Sequence, residues 1–186
     1  RGDMKPYAYK TTDFGKTWSN IISDDVEIFA RSIQEDYENE NLLYLGTEFG
    51  LYITLDGGKK WSKFTNNMPS VAVHHVELHK KTNDLVMGTH GRGVIIIDDI
   101  SPLREINKDI LDKELHFFSS EPFIMKDGSG GFGNGFGAEK QFVGANGPSG
   151  ALIKYLLPKR HIFGKMTMEI QDMEGNKITT ISPGKN

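Results

Sequence analysis

The chain has 186 residues, of which 37% are apolar and 10% aromatic, and its net charge is −3. Enough apolar residues are present to build one or two folded domains, which argues against an intrinsically disordered protein. The small net charge and the lack of a Lys/Arg cluster argue against a nucleic-acid partner. There is no cysteine for a disulfide or a thiolate zinc site, and no apolar run approaches the ~18 residues of a membrane span.

A short motif occurs twice, 43 residues apart, in residues 11–18 (TTDFGKTW) and 54–61 (TLDGGKKW). Both copies end at a tryptophan, and Trp18 and Trp61 are the two tryptophans of the chain. Self-similarity at a period of about 40–50 residues is typical of a β-propeller, in which each repeat forms one four-stranded sheet called a blade. The repeat therefore predicts an all-β fold.

The residues around each copy predict strands in chain order. Residues 7–22 are expected to form the last two strands of one blade. The next blade is predicted over 26–65, with strands at 28–33, 42–47, 51–54 and 61–64. A third unit repeats this plan, with strands at 71–78, 85–89 and 94–97, and its four-residue apolar run 94–97 is expected to be buried on both faces. That unit keeps only Asp98 and Asp99 of the repeated motif.

The shared spacing within the motif predicts a hairpin turn with a structural role. An Asp carboxylate in such a turn accepts hydrogen bonds from nearby backbone N–H groups, a Gly adopts positive φ, and a Trp packs beneath the turn. We therefore interpret six residues as structural and not catalytic: Asp13, Gly15, Trp18, Asp56, Gly58 and Trp61.

The motif resembles the Asp-box, or BNR, repeat S/T-x-D-x-G-x-x-W, which occurs in sialidases, two-domain xyloglucanases and sortilin-type receptors. Residues 88–99 (GTHGRGVIIIDD) resemble the segment that closes the propeller in large bacterial BNR or sortilin-like glycosyl hydrolases. Residues 115–118 (LHFF) and 144–151 (GANGPSGA) are similar to segments located after the propeller in those proteins. The resemblance implies an exported bacterial protein, which is secreted, periplasmic or held at the cell surface.

After Pro102 the pattern changes. Residues 107–115 predict a short helix with Asn107 as its N-cap, and a glycine-rich stretch comes next at 126–137. Strands are predicted again at 151–157, 166–172 and 177–181, as at the start of an immunoglobulin-like β-sandwich. The expected domains are the last blades of a propeller (1–118), a glycine-rich linker (119–145) and an incomplete sandwich (146–186).

The sequence offers no cofactor site. Residues 128–133 (GSGGFG) match G-x-G-x-x-G, but no strand is predicted before them and no helix after them, so a dinucleotide site is rejected. His75, Glu77 and His79 share one face of a predicted strand while His74 points to the other, and structural or exposed histidines are favoured over a metal site.

Successive turns of an up-and-down sheet emerge at opposite ends, so the turns opposite the motif are expected to share one ligand face. In enzymes that this chain resembles, that face binds the ligand. The candidates there are Glu48, Phe49, His90 and Arg92. Arg92 could instead bond to Asp98, Asp99 or a neighbouring blade, which is the favoured alternative. Glu48 could be an acid or base, or simply a solvated carboxylate.

The leading functional expectation is a BNR propeller protein that binds or hydrolyses glycans, by resemblance. The alternative is a non-enzymatic, sortilin-like or adhesion-type propeller that binds proteins or peptides and scaffolds a cell-surface assembly. Whether the protein is an enzyme stays open, since no segment matches the catalytic motifs of sialidases or xyloglucanases. A closed propeller needs at least about four blades, so the rest of the polypeptide or another chain is expected to cover the open blade edges.

Overall fold

The computed structural model describes residues 2–120, 123, 150–159 and 164–182. Over these residues the chain forms short antiparallel sheets with almost no helix, so the prediction of an all-β fold is confirmed. The glycine-rich stretch 126–137 lies outside the described residues.

Three sheets succeed one another along the first hundred residues. The first sheet pairs β1 (Tyr9–Lys10) with β2 (Ser19–Asn20). The second has the order β3 (Ala30–Glu35), β4 (Leu43–Thr47), β5 (Gly50–Thr54) and β6 (Ser62–Lys63). The third has the order β7 (Val73–His79), β8 (Asp84–Thr89) and β9 (Val94–Ile97). In each sheet, strands that are neighbours in sequence are neighbours in space.

The second sheet is the centre of the structure because it has a hydrophobic cluster on each face. Every residue of β4 and β5 is buried. Toward the first sheet the cluster comprises Ala8, Val26, Leu43, Leu45, Tyr52 and Trp61. Toward the third sheet it comprises Leu42, Tyr44, Leu51, Ile53, Val73, Val76, Leu78, Leu85, Met87 and Ile100. Alternate residues of β4 thus point to opposite neighbours, and the apolar runs of the two central strands fit this environment.

Strand β9 differs from its prediction. The sequence predicts that its residues are buried on both faces, but Val94 is 65% exposed and Ile96 is 55% exposed. Ile95 and Ile97 pack against the cluster between the second and third sheets. β9 is the edge strand of the third sheet, and among the described residues only one of its faces is covered.

Two short helices come after the third sheet, α1 (Ser101–Glu105) and α2 (Lys108–Leu111). Asn107 caps α2 as predicted, since its Oδ1 accepts a hydrogen bond from the Ile110 N–H at 3.0 Å. The predicted helix over 107–115 is thus shorter in the structure, and α1 was not predicted. No helix of the described residues is long and apolar enough to cross a membrane.

The last strands form two small sheets. β10 (His116–Phe117) pairs with β11 (Tyr155–Leu156), so residues on either side of the predicted linker share a sheet. β12 (Met168–Gln171) and β13 (Lys177–Ile181) form an antiparallel hairpin. Their bounds agree closely with the strands predicted at 166–172 and 177–181. All five residues of β13 are exposed.

Candidate functional site

The strand order places the turns of the second and third sheets at two opposite ends. The turn before β4 and the turn after β5 lie together, since the Gly57 N–H donates to the Asn41 carbonyl at 2.9 Å. At the other end lie the turn between β4 and β5 and the turn between β8 and β9. We call this second end, formed by residues 46–50 (GTEFG) and 88–93 (GTHGRG), the GT end. It contains all four residues predicted for the ligand face.

The two turns of the GT end differ in length but share a Gly-Thr start and a hydrogen bond from the threonine hydroxyl. The hydroxyl of Thr47 donates to the Gly50 carbonyl at 2.8 Å, and the hydroxyl of Thr89 donates to the Gly93 carbonyl at 2.6 Å. Gly46 also has a packing role, because a Cβ there would lie 2.6 Å from the Val73 carbonyl oxygen of β7. The Gly-Thr pair that precedes each turn is a sequence signal that could have identified this second repeat.

Glu48 is held in an ion pair. Its carboxylate accepts a hydrogen bond from the Arg31 guanidinium, which lies 4.9 Å from the centre of the Phe29 ring. Phe49, the next residue, is 53% exposed. Arg31 was not predicted, because its contact joins a bulge in β3 to the turn after β4, and neither an arginine nor a glutamate in the sequence indicates such a pairing.

His90 and Arg92 are both exposed at the tip of their turn. The ring of His90 stacks on that of His74, with centroids 5.4 Å apart and an interplanar angle of 18°. Arg92 forms no ion pair or hydrogen bond with the described residues, and Asp99 instead binds Ser101 and Lys154. A bond from Arg92 to Asp98 or Asp99, one part of the favoured interpretation, is therefore not formed among the described residues, while a bond to a further neighbouring blade stays a prediction.

The repeated motif forms the same turn twice, at the end opposite the GT end. In the first repeated turn (residues 11–18) the Asp13 carboxylate accepts the Thr17 N–H at 2.9 Å. In the second repeated turn (residues 54–61) the Asp56 carboxylate accepts the Lys60 N–H at 3.0 Å. The threonine that opens each motif, whose role was not predicted, donates to this carboxylate and accepts the Gly15 or Gly58 N–H.

These hydrogen bonds stabilise ionised carboxylates. The hydroxyl and N–H of Thr17 lower the pKa of Asp13 to about 2. For Asp56 burial acts to raise the pKa, but the hydrogen bonds from the Lys60 N–H and the Thr54 hydroxyl outweigh it, and the net change is downward. A carboxylate that stays ionised at neutral pH and whose oxygens are occupied by its own turn is suited to a structural role.

The two tryptophans do not share one environment. Trp61 is 2% exposed, and its Nε1–H donates to the Ile21 carbonyl at 2.8 Å. Trp18 is 59% exposed, and its Nε1–H donates to Gly15 within its own turn. Trp18 thus contacts its own turn, but among the described residues it is not buried as Trp61 is.

The remaining histidines of β7 do not converge. His75 lies 3.7 Å from Glu77, while His79 Nδ1 is 2.6 Å from the Thr82 hydroxyl. Within the described ranges no group of three His, Asp or Glu side chains is arranged to hold a metal ion. The GT end is thus a surface of Arg92, a stacked histidine pair and an exposed phenylalanine.

Comparison with protein-family models, with curated proteins and with solved structures finds no match to this chain.

Proposed function

We propose that the chain forms consecutive blades of an Asp-box β-propeller and that its GT end binds an acidic glycan. The observation that carries the proposal is the placement of two Gly-Thr turns at one end of successive sheets, with the exposed Arg92 on one of them. The blade assignment rests on the motif of residues 11–18 and 54–61 and on the way each sheet packs face to face on the next. The choice of a glycan as the ligand, and the expected export from a bacterial cell, follow from the BNR resemblance.

Charge favours a ligand that carries a carboxylate. Arg31 is already paired with Glu48, whereas the Arg92 guanidinium is exposed and makes no contact with a described acid. A guanidinium binds a carboxylate through two parallel hydrogen bonds. His90 lies on the same turn as Arg92, and its ring stacks on that of His74 in β7. The two imidazoles add polar groups for sugar hydroxyls.

The proposal is binding and not hydrolysis. A glycosidase needs two carboxyl groups at a defined separation across the scissile bond. Glu48 is paired with Arg31, and the four candidate residues of the GT end include no second carboxyl group to complete such a pair. A sortilin-like propeller that binds an acidic peptide would use the same guanidinium, and the experiment separates the two ligands.

The experiment titrates the chain with a hexuronate-containing oligosaccharide, its neutral counterpart and an acidic peptide, using calorimetry. We expect binding of the acidic oligosaccharide alone, weakened about tenfold or more in Arg92→Ala, the loss expected for a hydrogen bond to a charged group. The melting temperature should hardly change because Arg92 is exposed.

The matched control is Lys16→Ala, which removes an exposed cation at the opposite end and should leave affinity unchanged. If the chain binds the acidic peptide but not the acidic oligosaccharide, the protein-binding alternative replaces the glycan proposal. Equal affinity of the wild-type chain and Arg92→Ala for the acidic oligosaccharide would rule out the GT end as the site.

A further inference from the structure

A polar cavity lies at the end of the sheets opposite the GT end. Its volume is about 290 Å³, and its lining comes from four separate segments. Glu38 lies in the turn before β4 and Asn83 in the turn before β8. Arg104 and Glu105 belong to α1, and serines of α1 and of the segment after β10 complete the lining. We call it the Arg104 cavity.

Arg104 is the buried centre of this region. Its side chain is 9% exposed, and its Nε donates to both carboxylate oxygens of Asp36 at 2.9 and 3.0 Å. Its Nη1 donates to Asn83 Oδ1 at 2.8 Å and lies 3.1 Å from Glu38. The ring of Tyr37 covers the guanidinium with its centre at 4.4 Å. The arginine is therefore fixed in place by residues of two sheets.

Hydrogen-bonding capacity is left over in this arrangement. Arg104 Nη2 is buried and has no partner, although buried polar groups are satisfied in the great majority of cases. Asn83 is half-buried, and its Nδ2 forms no hydrogen bond with a described residue, because the contacts of this side chain are made through Oδ1. Two unused donors thus occur on residues that line a cavity which also has carboxylate acceptors.

The charges in and around the lining disfavour an anion and argue against a cation. Glu38 of the lining and the buried Asp36, which does not line the cavity, compensate Arg104. Glu105 adds a further carboxylate, which accepts the Ser119 N–H at 3.0 Å and lies 3.3 Å from His116 Nε2, so an anionic ligand would be repelled. An ammonium group only donates hydrogen bonds and would leave the amide and guanidinium donors unmatched. A hydroxyl group both donates and accepts, so it can satisfy the carboxylates and the donors together.

We propose that the Arg104 cavity binds a neutral polyhydroxyl ligand of the size of one sugar ring. The volume lies just below the range of about 300–1,000 Å³ that accommodates drug-sized molecules, which suits a single ring. The rigid Arg104 and Asn83 supply fixed donors, and Glu38 supplies an acceptor at the rim, where its side chain is 58% exposed. This site is separate from the GT end and takes an uncharged ligand.

The experiment measures saturation-transfer NMR of the full chain with glucose, galactose, mannose, N-acetylglucosamine and glucuronate. All measurements use the Arg92→Ala background, so that the proposed site at the GT end cannot contribute. We expect transfer to at least one neutral sugar and none to glucuronate. Failure of this experiment leaves the glycan titrations of the GT end unaffected, so the two proposals fail independently.

Two variants locate the site. Ser119→Phe fills the cavity and should abolish transfer. Glu38→Gln keeps an oxygen that accepts from Arg104 but removes the charge, and should weaken sugar binding about tenfold or more. The matched control Glu40→Gln alters an exposed glutamate of the same turn and should leave binding unchanged.

The proposal is overturned if no neutral sugar shows transfer, or if transfer to glucuronate is as strong as to the neutral sugars. It is also overturned if Ser119→Phe, shown to be folded by its thermal melt, binds as before. If Ser119→Phe does not fold, the Glu38→Gln variant decides, because Glu38 is exposed and its substitution leaves the hydrophobic core intact. Unchanged sugar affinity of Glu38→Gln overturns the proposal.

Discussion

The two repeated turns have the same internal hydrogen bonds but different surroundings. In each turn an Asp accepts the N–H of the residue four positions later, a Thr hydroxyl bridges the Asp and a Gly, and that Gly has positive φ. Yet the tryptophan that ends the first turn is 59% exposed and the one that ends the second is 2% exposed. The motif therefore specifies the turn, while the neighbouring sheet determines whether its tryptophan is buried.

The second turn has a neighbour that the first lacks among the described residues. Trp61 packs with Ala8 and Val26 and donates to the Ile21 carbonyl, and its backbone N–H donates to Asp25 at 3.3 Å. Gly58 lies so close to Ile21 that a Cβ would be 2.6 Å from its carbonyl oxygen. The segment immediately after the first sheet is thus the docking surface of the second turn.

The largest expected effect is at Trp61. Trp61→Ala should lower the free energy of unfolding by about 3–5 kcal/mol, because it removes a buried aromatic ring and leaves a cavity. Trp18→Ala should change it by about 0.5 kcal/mol or less, since exposed substitutions have small effects. Urea denaturation of both variants checks this pair. Equal losses of the free energy of unfolding in the two variants would show that Trp18 is also buried in solution, and the two turns would then not differ in their surroundings.

The glycines provide a second pair. Gly15 and Gly58 have φ of +86° and +97°, so alanine is strained at either position. At Gly15 the nearest contact of a Cβ is 3.8 Å away, whereas at Gly58 it is the Ile21 backbone at 2.6 Å. We expect Gly15→Ala to cost about 1 kcal/mol, from backbone strain alone, and Gly58→Ala about 2–3 kcal/mol. In thermal melts, the melting temperature of Gly58→Ala should be well below that of Gly15→Ala.

The smallest expected effect is the acid response of the first turn. Asp13 has a pKa of about 2 in the folded chain, below the ordinary value of 3.8. Its contribution to stability is therefore complete above about pH 4 and is lost as the pH falls toward 2. Carboxyl carbon NMR should show this titration, and Asp13→Asn should flatten the stability profile in that window. A midpoint for Asp13 near 4 would contradict the hydrogen bonds of the turn.

Much of the strand pattern could be predicted because it depends on local chemistry. Alternating and continuous apolar runs placed β3 to β9 within a few residues of their observed bounds. The burial of β9 could not be predicted from its four apolar residues. Val94 and Ile96 are exposed because β9 is an edge strand with one covered face, and the number of covered faces is a property of the sheet's neighbours.

The candidate site shows the same division. The alternation of turns predicted that Glu48, Phe49, His90 and Arg92 share one end. The two turns do lie at one end of neighbouring sheets, because Gly46 packs against the Val73 carbonyl at the start of β7. The partners of these residues were not predictable. Arg31 and Glu48 are 17 residues apart in the chain, and His74 of β7 stacks on His90, which follows the neighbouring strand β8. Such contacts depend on register and on a bulge, which local sequence does not encode.

The sequence by itself determined the β character, the repeated turns and the end of the sheets at which each turn lies, because strand periodicity and turn chemistry act over a few residues. Only the tertiary structure decided which of the two tryptophans is buried, which carboxylate Arg31 binds and that Arg104 joins two sheets through Asp36 and Asn83. Those outcomes depend on contacts between segments far apart in the chain, which form only when the sheets pack.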